Sequence, residues 1–425
     1  MLAGGPHDLP TRQQTMRDAI AWSYDLLDEP EQALFRRLCV FVGGCTLEAA
    51  EAICADGGED PAVLDLMASL VGSSLLRPPV TPAAGGDDAP PAAPRLTMLE
   101  TIREYGTELL AERSETGEIG RRHAAYYLAL AEEAGPALTG REAIAWLARL
   151  DAEHDNLRAA LRWAHEAGDG ATVLRLAAAL WPFWQQRGHL SEGRRWLSEG
   201  LDGAAAVAPS VRVNGLAGAA RLAMDQAAYG EAAERCAQAL ALARELGDPR
   251  LLAATLNTQG LLARVQDRYA DSARDYQAAL EQAREAADRG GEATALLGLA
   301  YAAMFTGDGP RASALAEESL AAARDSGDRH TLAQVLFLLG WAAGNAGPGA
   351  SEQAEAFGTE ALGLFRALGD TGWQAEVLFM LGTFGVTTGD YRRAARLFAD
   401  SLTLQRKRGD EKSTPGAWAG WRARC

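Results

Sequence analysis

Ala239-Leu-Ala-Leu-Ala-Arg-Glu-Leu-Gly247-Asp248 decides the reading of this chain, because the phrase returns four times. It recurs at Ala279-Leu280 to Ala287-Asp288, Ser319-Leu320 to Gly327-Asp328, Ala361-Leu362 to Gly369-Asp370 and Ser401-Leu402 to Gly409-Asp410. One arginine marks the register, at Arg244, Arg284, Arg324, Arg366 and Arg406, with spacings of 40, 40, 42 and 40 residues. A small residue keeps the same beat at Ala232, Ser272, Ala312, Ala354 and Ala394, three residues after Tyr229, Tyr269, Gly309, Ser351 and Tyr391. Two independent markers on one period identify an internal repeat.

Within one copy, Leu240, Ala243 and Leu246 fall at helical spacing with Arg244 and Glu245 turned away. The spacing predicts an amphipathic helix stopped by glycine. Upstream, Leu251 to Val265 reads as a second helix, closed by the Asp267 to Tyr269 turn. Each repeat is therefore a helix pair, and one pair cannot bury its apolar stripe alone. Neighbours must stack, which gives an all-α solenoid.

Gly260 with Tyr269 and Ser272, and Gly382 with Gly389-Asp390-Tyr391 and Ala394, resemble tetratricopeptide repeats. In each, a small residue of the first helix stands twelve before a small residue of the second, where the two helices approach closely. The usual unit is about 34 residues and HEAT-type repeats run to about 40–47. The forty-residue period thus predicts long helices, and the Tyr-x-x-Ala turn favours the tetratricopeptide type over HEAT.

The chain has 425 residues, 48% apolar and 23% charged, long enough for two or three compact units of ordinary composition. No charged start leads into an apolar run, and no stretch reaches the roughly 18 continuous apolar residues of a membrane span. A cytoplasmic location without a membrane partner is expected. Cys39, Cys45, Cys54, Cys236 and Cys425 form no Cys-x-x-Cys pair and are odd in number, which argues against a disulfide framework or metal site. The net charge is −16, and residues 1–130 hold 10 arginines against 20 acidic residues; the only lysines are Lys407 and Lys412. Such a surface repels nucleic acid at long range.

From Thr15, the run Met16, Ala19, Ile20, Ser23, Leu26, Leu27 reads as a helix. Asp28, three before Glu31 and followed by Pro30, opens a second helix to about Phe41 with a capping-box pattern. Gly43-Gly44 breaks it, Thr46 caps a third helix through Ile53, and Val63 to Leu70 makes a fourth that leads into an apolar strand at Leu75-Leu76. Residues 77–95 are rich in proline and lack apolar periodicity, so they are expected to be disordered. Arg95-Leu-Thr-Met98 reads as the returning strand. Helices followed by a hairpin predict a winged-helix unit over residues 1–115. Its reading helix, Pro61 to Ser74, contains no Arg or Lys and carries Asp65, whereas DNA readers need cations for phosphates and hydrogen-bonding groups for base edges. Direct DNA binding is not expected.

The stretches Leu9 to Leu27, Leu38 to Ala50, Leu99-Glu-Thr-Ile-Arg-Glu-Tyr-Gly106, Arg121-Arg-His-Ala-Ala-Tyr-Tyr127, Ala152-Glu-His-Asp-Asn-Leu-Arg-Ala-Ala-Leu161 and Arg187-Gly-His-Leu-Ser-Glu-Gly-Arg-Arg-Trp196 together resemble a known group. They are similar to the region after the nucleotide-binding domain of bacterial STAND-class signalling ATPases, the AfsR- and MalT-like transcription regulators. The resemblance covers most of the chain and implies a winged helix that closes over a nucleotide held by an upstream ATPase module. That module's phosphate loop needs Gly-Lys before Ser or Thr, and no Gly-Lys occurs here. The chain is accordingly expected to begin where the ATPase module ends. Related switches carry Met-His-Asp at the end of the winged helix; Met98-Leu99-Glu100 stands in its place, and leucine cannot donate a hydrogen bond to phosphate. No cofactor is expected.

Residues 116–205 read as a helical connector that caps the solenoid, with Trp146, Leu147, Leu150, Leu157 and Leu161 on one stripe and Trp181, Phe183 and Trp184 around Pro182 as core. Gly188-His189-Leu190 with Gly193 looks like one degenerate repeat. The repeats proper span residues 206–410, followed by an irregular tail, 411–425. The tail's proline and glycines argue against another long helix, leaving the last repeat either frayed or covered by a partner. The histidines are far apart, and Glu153-His154-Asp155 are adjacent helical residues that point in different directions. No nucleophile signature is present, so no enzymatic activity is expected. What remains is a surface. The outward positions of the first helices include Asn214, Arg221, Met224, Asn257, Arg264, Tyr301, Met304, Phe379 and Thr383. Amides that bond a peptide backbone and arginines that grip a carboxylate suit a protein or peptide partner with an acidic group at one end. A small-molecule effector near Trp181 is a weaker alternative. The implied function is a non-catalytic regulatory module, or else the sensor of a transcription regulator whose ATPase lies upstream or in trans.

Overall fold

The computed structural model describes residues 11–55, 63–78, 94–203, 207–344 and 351–407, and these form nineteen helices. The chain divides into two compact units: residues 1–130 with 148–172, and residues 131–147 with 173–425. Most of the expected proline-rich insert and the whole expected tail lie outside the described residues.

The first unit holds α1 (Thr11–Asp25), α2 (Glu29–Leu38), α3 (Leu47–Cys54), α4 (Val63–Gly72) and α5 (Glu100–Glu112), together with parts of α6 (Thr116–Ala137) and α7 (Ala143–Glu166). The capping box at α2 is complete: Glu31 N–H donates to Asp28 Oδ1 at 3.0 Å and Asp28 N–H donates to Glu31 Oε2 at 2.9 Å. Thr46 Oγ1 accepts from Ala49 N–H at 3.2 Å and starts α3. Phe35, Ile53, Met67 and Leu70 are buried where α2, α3 and α4 meet. Two of the expected boundaries shift. α2 stops at Leu38 rather than Phe41, and the expected strands reduce to two isolated antiparallel bridges, Cys45 with Leu96 and Arg77 with Thr97. Leu75 and Leu76 are buried without bridge partners of their own, because both amides bond back to the Leu70 carbonyl at the end of α4.

The second unit is a stack of helix pairs. α8 (Gly170–Arg187) and α9 (Leu190–Gly203) precede α10 (Pro209–Asp225) with α11 (Tyr229–Leu246), α12 (Pro249–Val265) with α13 (Tyr269–Glu285), α14 (Arg289–Phe305) with α15 (Gly309–Ser326), α16 (Arg329–Gly344) with α17 (Ser351–Leu368), and α18 (Thr371–Thr387) with α19 (Tyr391–Lys407). Each Gly-Asp junction has two jobs. Gly247, Gly327 and Gly369 end their helices at φ of +65°, +75° and +71°, where a side chain would be strained. The aspartates that follow them, Asp248, Asp328 and Asp370, and Asp288 after Ala287 at φ of +50°, accept from backbone N–H groups of the next first helix at 2.9–3.1 Å, each cap worth about 1 kcal/mol.

Small residues let the two helices of a pair touch. Ser272 Oγ, fully buried, donates to the Gly260 carbonyl at 2.9 Å. Ser319 and Ser401, in one register, donate to the carbonyls of Ala293 and Ala375 at 2.7 Å. A side chain at Gly260 would meet the Tyr276 ring at 2.9 Å, and one at Gly382 would meet the Phe398 ring at 2.7 Å. The apolar stripe on the second helix is narrower than periodicity implied. Ala239, Leu240 and Ala243 are buried but Leu246 is 39% exposed, since it occupies the last position before the left-handed glycine. The stacking seam is visible at the last pair: Leu240, Leu280 and Leu362 are 4–6% exposed under the next first helix, whereas Leu402 of α19 is 46% exposed.

Two arginines span the array. Arg187 Nη1, at the end of α8, donates to the Leu368 carbonyl of α17 at 2.6 Å. Arg141, between α6 and α7, lies against Gly327 at the end of α15. Both seat a cation at the carbonyl end of a helix, where the backbone dipole favours it.

The glycine that admits the Tyr276 ring from α14 gives a direct test, because a Cβ at Gly298 would fall inside that ring. Gly298→Ala should destabilise the array by about 2 kcal/mol through overpacking and lower the thermal midpoint by several degrees. Gly363→Ala, where a Cβ meets nothing within 4 Å, should hold or raise it; equal midpoints in calorimetry would refute the packing account.

Candidate interaction surface

In the second unit, successive first helices touch one another: α10 packs on α12, α12 on α14, α14 on α16 and α16 on α18. The second helices have no comparable mutual contact. The row of first helices is therefore the inner, concave side of the stack.

The nine residues expected to face outward from that row divide into three groups. Asn214 is exposed, with its amide already engaged: Oδ1 accepts from Trp181 Nε1 at 3.2 Å and Nδ2 donates to the Ala178 carbonyl at 2.8 Å. Arg221, Arg264, Met304, Phe379 and Thr383 are half-buried, Phe379 against Phe398 with centroids 5.3 Å apart and Thr383 bonded to the Phe379 carbonyl at 3.0 Å. Met224, Asn257 and Tyr301 are buried, which corrects their outward placement. Met224 belongs to the core around Ala220, Cys236 and Leu262. Asn257 donates to the Gly291 carbonyl of α14 at 3.3 Å. Tyr301 lies under the Arg264 guanidinium, 4.8 Å from its ring centroid. For Asn257 the physical reason is the neighbouring first helix, whose Gly291 carbonyl it meets, whereas Met224 is buried partly against Cys236 of its own partner helix.

Periodicity also missed Tyr276. It comes from the second helix α13, yet its ring passes between Gly260 and Gly298 of two first helices and its phenol feels the charge of Arg264. Burial pushes its phenol above the usual tyrosine range, partly opposed by Arg264 and Arg221. The available signal was the pair of glycines, Gly260 and Gly298, on adjacent first helices.

In the first unit, Glu153 and Asn156 of α7 form a buried polar centre. Glu153 pairs with Arg95 and accepts from Tyr127 Oη at 2.9 Å and from Asn156 Nδ2 at 2.8 Å. Asn156 Oδ1 accepts from Val42 N–H at 2.7 Å, and Asn156 Nδ2 and Arg95 Nη2 each reach the Gly44 carbonyl at 2.9 Å. The Gly43-Gly44 turn and the returning segment of the wing are thus tied to α7. His123 packs beside this centre between Phe41 and Tyr127, and burial pulls its pKa down to about 4.

α4, in the position of a reading helix, has Asp65 and no basic residue. Many of the unit's arginines are held by carboxylates: Arg17 by Glu108, Arg36 by Glu115, Arg103 by Glu100, Arg122 by Glu118 and Arg149 by Glu48. Met98 and Glu100 line a shallow depression with Gly44, Cys45 and Arg103, while Leu99 is 41% exposed. Burial raises the thiols of Cys39, Cys45 and Cys236 to about 12, a range in which they are poor nucleophiles. Among the described residues no group of three or more His, Cys, Asp or Glu could hold a metal ion, and no helix is long and apolar enough to cross a membrane.

Comparison with known proteins agrees with this architecture. Residues 27–111 match the winged helix-turn-helix domain. Over 270 residues, 61% of the chain, the sequence is 39% identical to a provisionally named HTH-type transcriptional regulator of Mycobacterium tuberculosis. The chain spans only 29% of that relative's length. A Rap protein, crystallised with competence and sporulation factor, superposes with a TM-score of 0.52 at 13% identity, covering 93% of this chain and all of that one; it shares the helical fold. A STAND protein with a tetratricopeptide repeat sensor, from Pyrococcus horikoshii, aligns with 98% of this chain and 61% of its own at a TM-score of 0.49 and 15% identity. The chain is thus an all-α protein with a winged helix-turn-helix unit and a tetratricopeptide-type array, similar to transcription regulators.

His123 supplies a pH test. Its folded pKa lies below the unfolded value of about 6.5, so the unfolded chain binds more protons and stability falls as pH drops from 6.5 towards 4. The loss should be about 3 kcal/mol over that window. His123→Phe should flatten this part of the pH dependence in urea unfolding of the first unit; an unchanged slope would show that the group does not titrate on unfolding.

Proposed function

We propose that the chain is the sensing portion of a transcription regulator, and that it receives a protein or peptide segment along its row of first helices. The observation that carries this reading is the set of side chains left half-exposed there, Arg221, Arg264, Met304, Phe379 and Thr383, beside the exposed Asn214. A stack needs only its seam buried, and each of these residues keeps part of its side chain accessible. Two guanidiniums, a thioether and an aromatic edge on a concave surface supply the mixed polar and apolar contacts by which extended segments are held.

The winged-helix unit serves in this reading to join the array to the rest of a regulator. The cation-free α4 speaks against its reading DNA, since phosphate contacts provide most of the affinity of such units. The longer relative leaves room for further modules, which supports a second reading in which a nucleotide-hydrolysing module completes the switch from upstream or in trans. This chain, with no Gly-Lys, would contribute the sensor to it.

The test is capture of partners by the full chain from extract of its own cells, in parallel with the triple variant Asn214→Ala, Arg264→Ala, Phe379→Ala. A specifically retained protein or peptide should be lost from the variant while its far-ultraviolet circular dichroism is kept. Undiminished retention by the folded variant would remove the reading. In a mobility-shift assay at physiological salt, duplex DNA should not be retained by the full chain.

A further inference from the structure

We propose that Arg221 and Arg264 form an anion site on the inner face of the array, and that it takes the side-chain carboxylates of an acidic peptide segment. This rests on the reading above, in that the segment lies along the first helices. It adds the chemical class of the ligand.

The site is built around a tyrosine that crosses the stack. Tyr276 starts on the second helix α13, and its ring passes between α12 and α14 because Gly260 and Gly298 leave the space. Its phenol then comes near Arg264, whose charge acts on it. The same guanidinium stacks 4.8 Å over the Tyr301 ring, which fixes its orientation. Arg221 stands on α10, the first helix that packs directly on α12, so the two cations belong to neighbouring helices of the row.

Neither arginine makes an ion pair among the described residues, in a chain where Arg17, Arg36, Arg95, Arg103 and Arg284 each have a carboxylate. Their Nε atoms are buried with no acceptor, and Asn257 Oδ1 between α12 and α14 likewise has no donor. Asp275 and Glu376 act on Tyr276 and Tyr301 respectively. The net charge of −16 does not cancel this local positive spot, because fields are screened beyond about 8 Å at physiological salt. A guanidinium fixed by stacking presents its N–H fork without losing further freedom, the condition for bidentate capture of a carboxylate. Tyr276 and Tyr301 are positioning residues.

The test uses the full chain and two fluorescein-labelled peptides, hexaglutamate and hexaglutamine, read by fluorescence anisotropy. Hexaglutamate should bind saturably and hexaglutamine at least tenfold more weakly. Arg221→Gln with Arg264→Gln should weaken hexaglutamate at least tenfold with helicity retained, Arg264→Lys by less, and Arg393→Gln, paired to Glu355 on α17, should have no effect. Tyr276→Phe, which keeps the ring and removes the hydroxyl, should weaken hexaglutamate several-fold and leave the weak binding of hexaglutamine unchanged. Equal binding of the two peptides, or hexaglutamate binding unchanged in the double variant and in Arg264→Lys, would overturn the site. If hexaglutamate does not bind while the triple variant still loses its natural partner, the anion site is wrong and the sensing reading stands.

Discussion

Everything in the second unit follows from one deficiency: a helix pair has more apolar surface than it can cover. The first and second helices of a pair close on each other through Ser272, Ser319 and Ser401, whose hydroxyls bond carbonyls on the facing helix. What is left, the row of Leu240, Leu280 and Leu362, is covered only when the next first helix arrives. Stability in such an array is the sum of weak units and strong interfaces, so the order of the stack, rather than any single helix, is what the sequence has to specify. The Gly-Asp junctions do this by ending one helix and starting the next within two residues.

The winged-helix unit is organised differently, around a charge instead of a seam. A carboxylate as buried as Glu153 is costly unless every lone pair is used, and here Arg95, Tyr127 and Asn156 use them. The cost is offset by what the network joins: the Gly43-Gly44 turn, the returning wing segment and α7. The unit is in this way tied through its wing to a helix, while α4 carries Asp65 and no basic residue.

How much of this was legible beforehand depended on the range of the interaction. The capping box of Asp28 and Glu31 and the Thr46 cap are local and could be read from residues three apart, while the repeat was legible because the same markers return every forty residues. The inner face was only partly legible. Periodicity identifies which side of α12 or α14 avoids its own partner, but Asn257 and Tyr301 are buried by the next first helix, whose distance no single-helix pattern contains. Tyr276 was hidden for the same reason, since the gap it fills belongs to two other helices. Glu153 looked like part of an ordinary helix surface because its cation, Arg95, stands 58 residues away.

Arg187 carries a consequence for length. Its grip on the Leu368 carbonyl joins two points separated by four helix pairs, and the reach of one side chain sets the tolerance of that join. Inserting or deleting a single forty-residue unit would carry α17 away by roughly 20 Å, two interaxial spacings. A gained or lost unit would therefore leave the Arg187 fork without this carbonyl, a penalty that a solenoid lacking such a contact does not face.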